Sequence, residues 1–359
     1  MLNNLTGLRF YAAMWVFLYH FFPVYTTAPK IDFFEIGFLG VDVFFVLSGF
    51  ILTYVYYKKF FINTVSGSDF RTFVVKRFAK IYPLHFLLTI VFIPLLYCGK
   101  YIFKQDSINI YLDTLLQNFL LIHAWATTDH YSWNSLSWSI SAEWFAYLFL
   151  FAPLAVVYKK SKLFFIVLSL LIIFGFIFYW GSLRDFTLHR YTMNGLPRII
   201  PEFILGVLAG LIKIKFDLNK RQASMVLLIG LLFLVSAYYF GFYFHQLCIL
   251  GFAGIILSLS YPTYADSMFG SKILIYLGNI SYAFYLTQFL SLIIYEQIFR
   301  IIFDGAQSDY LIVIQFLMAF FINFAFAALA YKYFEEPIRL FLVTKMIRSN
   351  KGNAIAYTN

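Results

Sequence analysis

Apolar runs of about 18 residues or more recur along the whole of this 359-residue chain. A soluble domain has no interior large enough for that many, whereas a bilayer takes each as one span. Backbone N–H and C=O groups find no water in hydrocarbon, so each run must bond internally as a helix. The runs fall at 7–25, 37–57, 81–98, 134–158, 163–180, 197–212, 223–241, 245–260, 273–299 and 311–331. They predict an all-α, polytopic membrane protein of about ten transmembrane helices. With 12% charged residues against roughly 25% in a soluble domain, nothing reads as a separate soluble unit. Residues 1–340 are therefore expected to form one membrane domain, with 341–359 as a basic cytoplasmic tail.

The first run is read as a retained span rather than a signal peptide. Its basic leader is slight, and Pro29 disfavours cleavage after Ala28. A formal charge of +10 raises the question of nucleic acid, but the distribution of the cations answers it. With alternating spans that start inside, the inner side collects Lys58, Lys59, Arg71, Lys76, Arg77, Lys80, Lys159, Lys160, Lys162, Lys213, Lys215, Lys220, Arg221 and Lys272. Arg9, Lys332, Arg339, Lys345, Arg348 and Lys351 join them from the ends. The outer side keeps Lys30, Lys100, Lys104, Arg184, Arg190, Arg198 and Arg300, so the ratio is 20 to 7. That is a positive-inside signal with both termini cytoplasmic, and no nucleic-acid partner is expected. A further span at 108–123 would reverse every later loop, so this stretch is read as a re-entrant or interfacial helix. Asp113 and Gln117 on its polar side agree. The outer segment 99–133 is then either an acceptor-binding rim or a plain connection.

Cys98 and Cys248 lie far apart in apolar surroundings and read as small hydrophobes; no metal pattern is present in the sequence. Arg9 and His20 are another matter. Eleven residues separate them, about three helical turns, which places them on one face about 16 Å apart along the axis. Singly, the arginine can snorkel to headgroups and the histidine can be packing. Together they suit a long ligand with an anionic head at Arg9 and a reactive end at His20, which can act as acid or base near neutrality. Asp42 is an intramembrane carboxylate near the outer end of the second run, and by depth His20 is a reasonable partner. The next inner loop carries "KRFAKIYP" (76–83), in which Lys76, Arg77, Lys80 and Tyr82 form a second cationic set or merely flank a helix. Glu143 is a further intramembrane carboxylate. Arg198 and Glu202, at i and i+4, are expected to form an internal pair that fixes their helix. His85 reads as packing and Glu296 as interfacial.

Taken in order, these elements resemble acyltransferase family 3, the membrane acyltransferases that modify bacterial surface polysaccharides and related sugars. The Arg9–His20 spacing and "GVDVFFVLSGF" (40–50) match its first two spans. "KRFAKIYP" corresponds to its basic motif, with lysine for arginine at Lys76 and Lys80. "SWSISAEWFAYLFL" (137–150) keeps Glu143, and "PRIIPEFILGVLAG", "LGNISYAFYLTQF" and "FEEPIRLFL" follow as later landmarks. Near Gln288 the family usually has an aromatic-His pair, and this chain has "TQ". The resemblance implies transfer of an acyl group, most often acetyl, from cytoplasmic acyl-CoA to a sugar hydroxyl in the cytoplasmic (inner) membrane. Membrane lipid, acyl-CoA and a carbohydrate acceptor are the implied partners, with acetyl-CoA as donor substrate and no bound cofactor. Arg9, Lys76, Arg77, Lys80 and Tyr82 would hold the donor. His20 would act as base or covalent relay, Asp42 would orient it, and Glu143 would complete the catalytic set. With the sequence ending at Asn359, a free-standing catalytic unit is expected. The reading from a different class is a proton-coupled transporter or flippase, which also uses buried His, Asp and Glu.

Overall fold

Every one of the ten apolar runs contains helix in the computed structural model, which describes residues 2–25, 32–105, 108–130, 133–182, 194–240, 247–302 and 312–356. Pro29, Lys30, Arg184 and Arg190 lie outside the described residues. In chain order the helices are α1 (Asn3–Tyr25), α2 (Asp32–Glu35), α3 (Gly40–Tyr56), α4 (Gly67–Tyr97), α5 (Leu115–Phe119), α6 (Trp138–Phe145), α7 (Phe151–Lys160) and α8 (Lys162–Ser182). They continue as α9 (Leu196–Lys215), α10 (Lys220–Phe240), α11 (Cys248–Leu259), α12 (Asp266–Phe269), α13 (Lys272–Leu286), α14 (Gln288–Ile302), α15 (Ile312–Ala330) and α16 (Glu336–Ala356). Among the described residues the only strand-like pairing is one isolated bridge, Trp125 to Asn194.

Among the described residues five helices are long and apolar enough to cross a membrane: Gly37–Ile62, Gly67–Ile102, Ser135–Lys160, Lys162–Tyr179 and Ile312–Met346. A sixth results if α13 and α14, bent by 73° at Thr287, are taken as one broken span. The chain is thus a multi-pass, all-helical membrane protein. The stretch 108–123 yields only the turn Leu112–Thr114 and α5. Eight helical residues rise about 12 Å, too little to cross. The segment around it is fastened to α6: Ala124 N–H donates to Ser141 Oγ at 3.0 Å and Trp125 Nε1 to the Ser141 carbonyl at 2.7 Å. The left-handed non-glycine residues described (Lys104, Leu121, Ala126 and Trp133) all fall in this segment.

The basic motif corrects the loop expected at 76–83. α4 begins fourteen residues before its apolar run, because Ser66 and Asp69 form a reciprocal capping box. Asp69 also pairs with Lys59 at 2.7 Å. The four motif residues Lys76, Arg77, Lys80 and Tyr82 therefore sit well inside a helix, with their directions fixed.

At the centre α3 packs on α9, with α1 and α11 beside them, while α13 lies on α1 and α16 on α4. Small residues let the central pair approach closely, the usual device where lipid is as apolar as leucine. A Cβ on Gly206 would stand 2.0 Å from the Val46 carbonyl oxygen, and one on Gly49 2.1 Å from that of Phe203. Gly206→Ala should therefore lower stability by about 1–3 kcal/mol, an overpacking cost. Gly175→Ala on α8, where nothing lies within 4 Å, should be neutral or stabilising by up to about 1 kcal/mol. Thermal unfolding in detergent checks the contrast; equal melting temperatures for the two variants would refute the close approach.

Candidate active site

Between α1, α3, α4, α6, α13 and α16 lies a cavity of about 730 Å³, within the range of small-molecule sites. Five cations line it: Arg9 from α1, Lys76, Arg77 and Lys80 from α4, and Arg339 from α16. All five belong to the inner set of the cation count. Lys80 bonds Glu335, and Arg339 forms a two-point pair with Glu336 at 2.5 and 2.8 Å. Arg9 and Lys76 have no carboxylate partner among the described residues, and Arg77 contributes a guanidinium 5.9 Å from the Tyr147 ring centre. The Arg77 Nε is buried without a hydrogen-bond partner among the described residues. Such a wall, with three cations that form no ion pair among the described residues, draws polyanions.

The deeper wall is apolar, with Val41, Phe44, Phe45 and Leu47, and is interrupted by one polar centre. There a single oxygen of Glu143 accepts hydrogen bonds from both Ser48 Oγ and Tyr147 O–H. Ser139 and Tyr285, 2.9 Å apart, extend the polar line. Tyr147 is four residues from Glu143 on one helical face, so its role was open to i,i+4 reasoning that the sequence reading did not apply. Ser48 and Arg339 stood in noted motifs without being singled out.

His20 does not line this cavity. Its imidazole packs edge-on against Tyr19 and Phe289, each 5.0 Å between ring centres, and is half-buried. The unbroken α1 does carry Arg9 and His20 together, so their one-face relation holds along the helix. Tyr82 also lies away from the cavity wall, stacked on Phe78 at 4.4 Å.

Asp42 is fully buried, and its two oxygens meet Arg198, from Nε at 2.8 Å and from Nη2 at 2.5 Å. The guanidinium also donates to the Phe38 carbonyl at 3.2 Å and lies 5.2 Å from the Trp138 ring centre. His20 is therefore not the hydrogen-bonded partner that the depth argument expected for Asp42. The i,i+4 pair is likewise reassigned: Arg198 reaches across to α3, 156 residues away, and Glu202 stands beside the pair. Neither Glu202 oxygen has a hydrogen-bond partner among the described residues. One turn of helix sets both side chains facing α3, and the bidentate fit to Asp42 wins.

Gln288, where the histidine of the resemblance is replaced, is buried at the α13–α14 bend. Its Nε2 donates to the Ala13 carbonyl of α1 at 3.1 Å. Asn323 closes the same bend, accepting from Thr287 and Ser291 at 2.9 Å each. His85 is buried too, with Nε2 on the Asn118 carbonyl at 2.8 Å and its ring beside that of His123. Among the described residues no group of three or more His, Cys, Asp or Glu is arranged to hold a metal ion.

Comparison with known proteins places this architecture. The acyltransferase-domain family (Acyl_transf_3) matches residues 2–332, so the chain belongs to acyltransferase family 3. A Staphylococcus aureus (strain COL) protein named as a candidate O-acetyltransferase is 25% identical over 369 aligned positions, covering 94% of this chain and 57% of the relative. The acyltransferase MdmB of Streptomyces mycarofaciens is 33% identical over 159 positions, 41% of this chain and 38% of that protein. The chain thus spans a little over half the length of the Staphylococcus relative. No solved structure matches it.

Proposed function

We propose that the chain is an integral membrane O-acyltransferase that moves an acyl group, in the first instance acetyl, from cytoplasmic acyl-CoA to a hydroxyl of a surface polysaccharide or lipid-linked sugar. The observation that carries this reading is the cavity, in which three cations that form no ion pair among the described residues share one space with a polar centre at Glu143. Family membership and the relatives' names support it. Ten spans with both termini cytoplasmic, in the inner membrane, belong to the same proposal. The cation asymmetry supports them, as does the gathering of inner-side cations around one cavity.

In this reading Arg9, Lys76 and Arg77 hold the nucleotide phosphates, Arg9 and Arg77 as planar forks and Lys76 as a point charge. The pantetheine arm runs past Ser48, Glu143 and Tyr147, whose hydroxyls and carboxylate meet its amides. His20, about 16 Å above Arg9 on α1, takes the proton of the acceptor hydroxyl as its oxygen attacks the thioester carbon. The C–O bond forms, the C–S bond breaks, and the departing sulfur leaves as the CoA thiol with that proton. Asp42 contributes by locking α3 to α9 through Arg198, and the outer segment 99–133 forms the acceptor rim.

Donor kinetics test the division of roles. Lys76→Ala and Arg9→Ala should each raise the donor KM about tenfold and leave kcat within about twofold, as for contacts that bind ground state and transition state alike. Arg9→Lys should recover part of the loss, because charge survives without the fork. A fall in kcat at unchanged donor affinity for either alanine variant would defeat the assignment.

A further inference from the structure

Unlike Arg9, Lys76 and Arg77 in the cavity wall, Lys80 is paired with a carboxylate. Its ammonium bonds Glu335, a residue of the wide helical turn Tyr331–Glu335 that joins α15 to α16. Glu335 is only 1% exposed, whereas the Lys80 side chain is 26% exposed and faces the cavity. Beneath the ammonium lies the Tyr282 ring, 5.2 Å to its centre, and the Tyr282 hydroxyl donates to the Ile81 carbonyl on the same turn of α4. Lys80 is thus gripped from α15–α16 and from α13 at once. An ammonium has three N–H donors. One is spent on Glu335, and no other hydrogen bond from Lys80 is made among the described residues. Two donors therefore remain on a side chain whose usual rotamer freedom has already been lost. Arg9 and Arg339 stand within electrostatic reach of it, so Glu335 also offsets repulsion in a crowded cationic wall.

We infer that Glu335 is a positioning residue of the donor site: it anchors Lys80 by one N–H, so that the other two are held ready for a phosphate oxygen. This rests on the reading of the cavity as the acyl-CoA site. Ordering costs are then met on folding rather than on binding.

The test is binding of coenzyme A to the full chain in lipid nanodiscs, with melting temperatures measured alongside. Glu335→Gln should weaken binding about tenfold, the loss of one charge-assisted contact, while kcat at saturating acetyl-CoA stays within about twofold. Lys80→Met should weaken it to a similar degree, and adding Glu335→Gln to Lys80→Met should change affinity by less than twofold. Effects that multiply in the double variant would overturn the inference, since Glu335 would then act elsewhere than through Lys80. The exchange Lys80→Glu with Glu335→Lys covers the case in which Glu335→Gln fails to fold, because it restores an ion pair but turns a carboxylate to the cavity. Weak binding by that folded exchange supports the inference; wild-type affinity would show a purely structural pair and overturn it. No saturable binding by the wild-type protein would overturn the donor reading and this inference with it. Binding that is saturable and Arg9-dependent, yet unchanged by Glu335→Gln, overturns this inference alone.

Discussion

His20→Ala should abolish acyl transfer, lowering kcat about 10²–10⁴-fold, the usual cost of removing a positioned acid–base group. Membrane abundance and donor binding should stay near wild type. His20 is half-buried between Tyr19 and Phe289, so alanine removes an aromatic contact at the edge of the core rather than a buried ion. Its distance along α1 from Arg9 keeps the donor's head group clear of the change. Shifting the histidine to position 19 or 21 should fail as well, because each step turns it by about 100° away from the Arg9 face. A histidine that merely packs behaves differently: activity would fall only in step with folded protein. Activity per folded molecule therefore separates the two roles, and wild-type transfer by His20→Ala would remove the histidine from the chemistry.

The second large effect is expected at Asp42. Asp42→Ala takes away the carboxylate that meets both Nε and Nη2 of a guanidinium only 3% exposed. Breaking one side of such a buried pair costs about 3–5 kcal/mol, and the folded protein should be hard to recover. Asp42→Leu combined with Arg198→Met should regain most of that stability, because both charges leave together. Detergent melting curves for the single and double variants check this. If Asp42→Ala instead melts with the wild type and loses turnover, Asp42 works on the reaction itself and its bond to Arg198 is incidental.

Much of the architecture was legible from hydropathy alone, since each apolar run holds a helix and the 108–123 stretch forms only short turns. Three features were not. α4 starts long before its apolar run because a polar cap, not hydrophobicity, sets its first turn. The ninth run breaks at Thr287, where the bend is held by Asn323 from another helix, a contact invisible to local pattern. The partner of Arg198 lies 156 residues away, and an i,i+4 rule weighs only neighbours on the same helix. At the site, Arg9, Lys76, Arg77, Lys80 and Glu143 were singled out from sequence and share one cavity. Tyr82, His20 and Asp42 do not line it, because spacing along a helix gives depth and face without saying which neighbour that face meets. Glu335 escaped notice for a related reason: in "FEEP" the two glutamates look alike, yet one grips Lys80 and the other Arg339.

The most direct measurement is the fate of acetyl-CoA labelled in its acetyl group, given to the purified full chain in proteoliposomes with a glycan acceptor on the far side. An O-acyltransferase of the kind proposed releases free CoA thiol in step with label appearing as an ester on the glycan, and His20→Ala reduces both to background. Intact acetyl-CoA after prolonged incubation, with movement of protons or lipid across the bilayer in its place, would contradict the proposal and support the transporter reading.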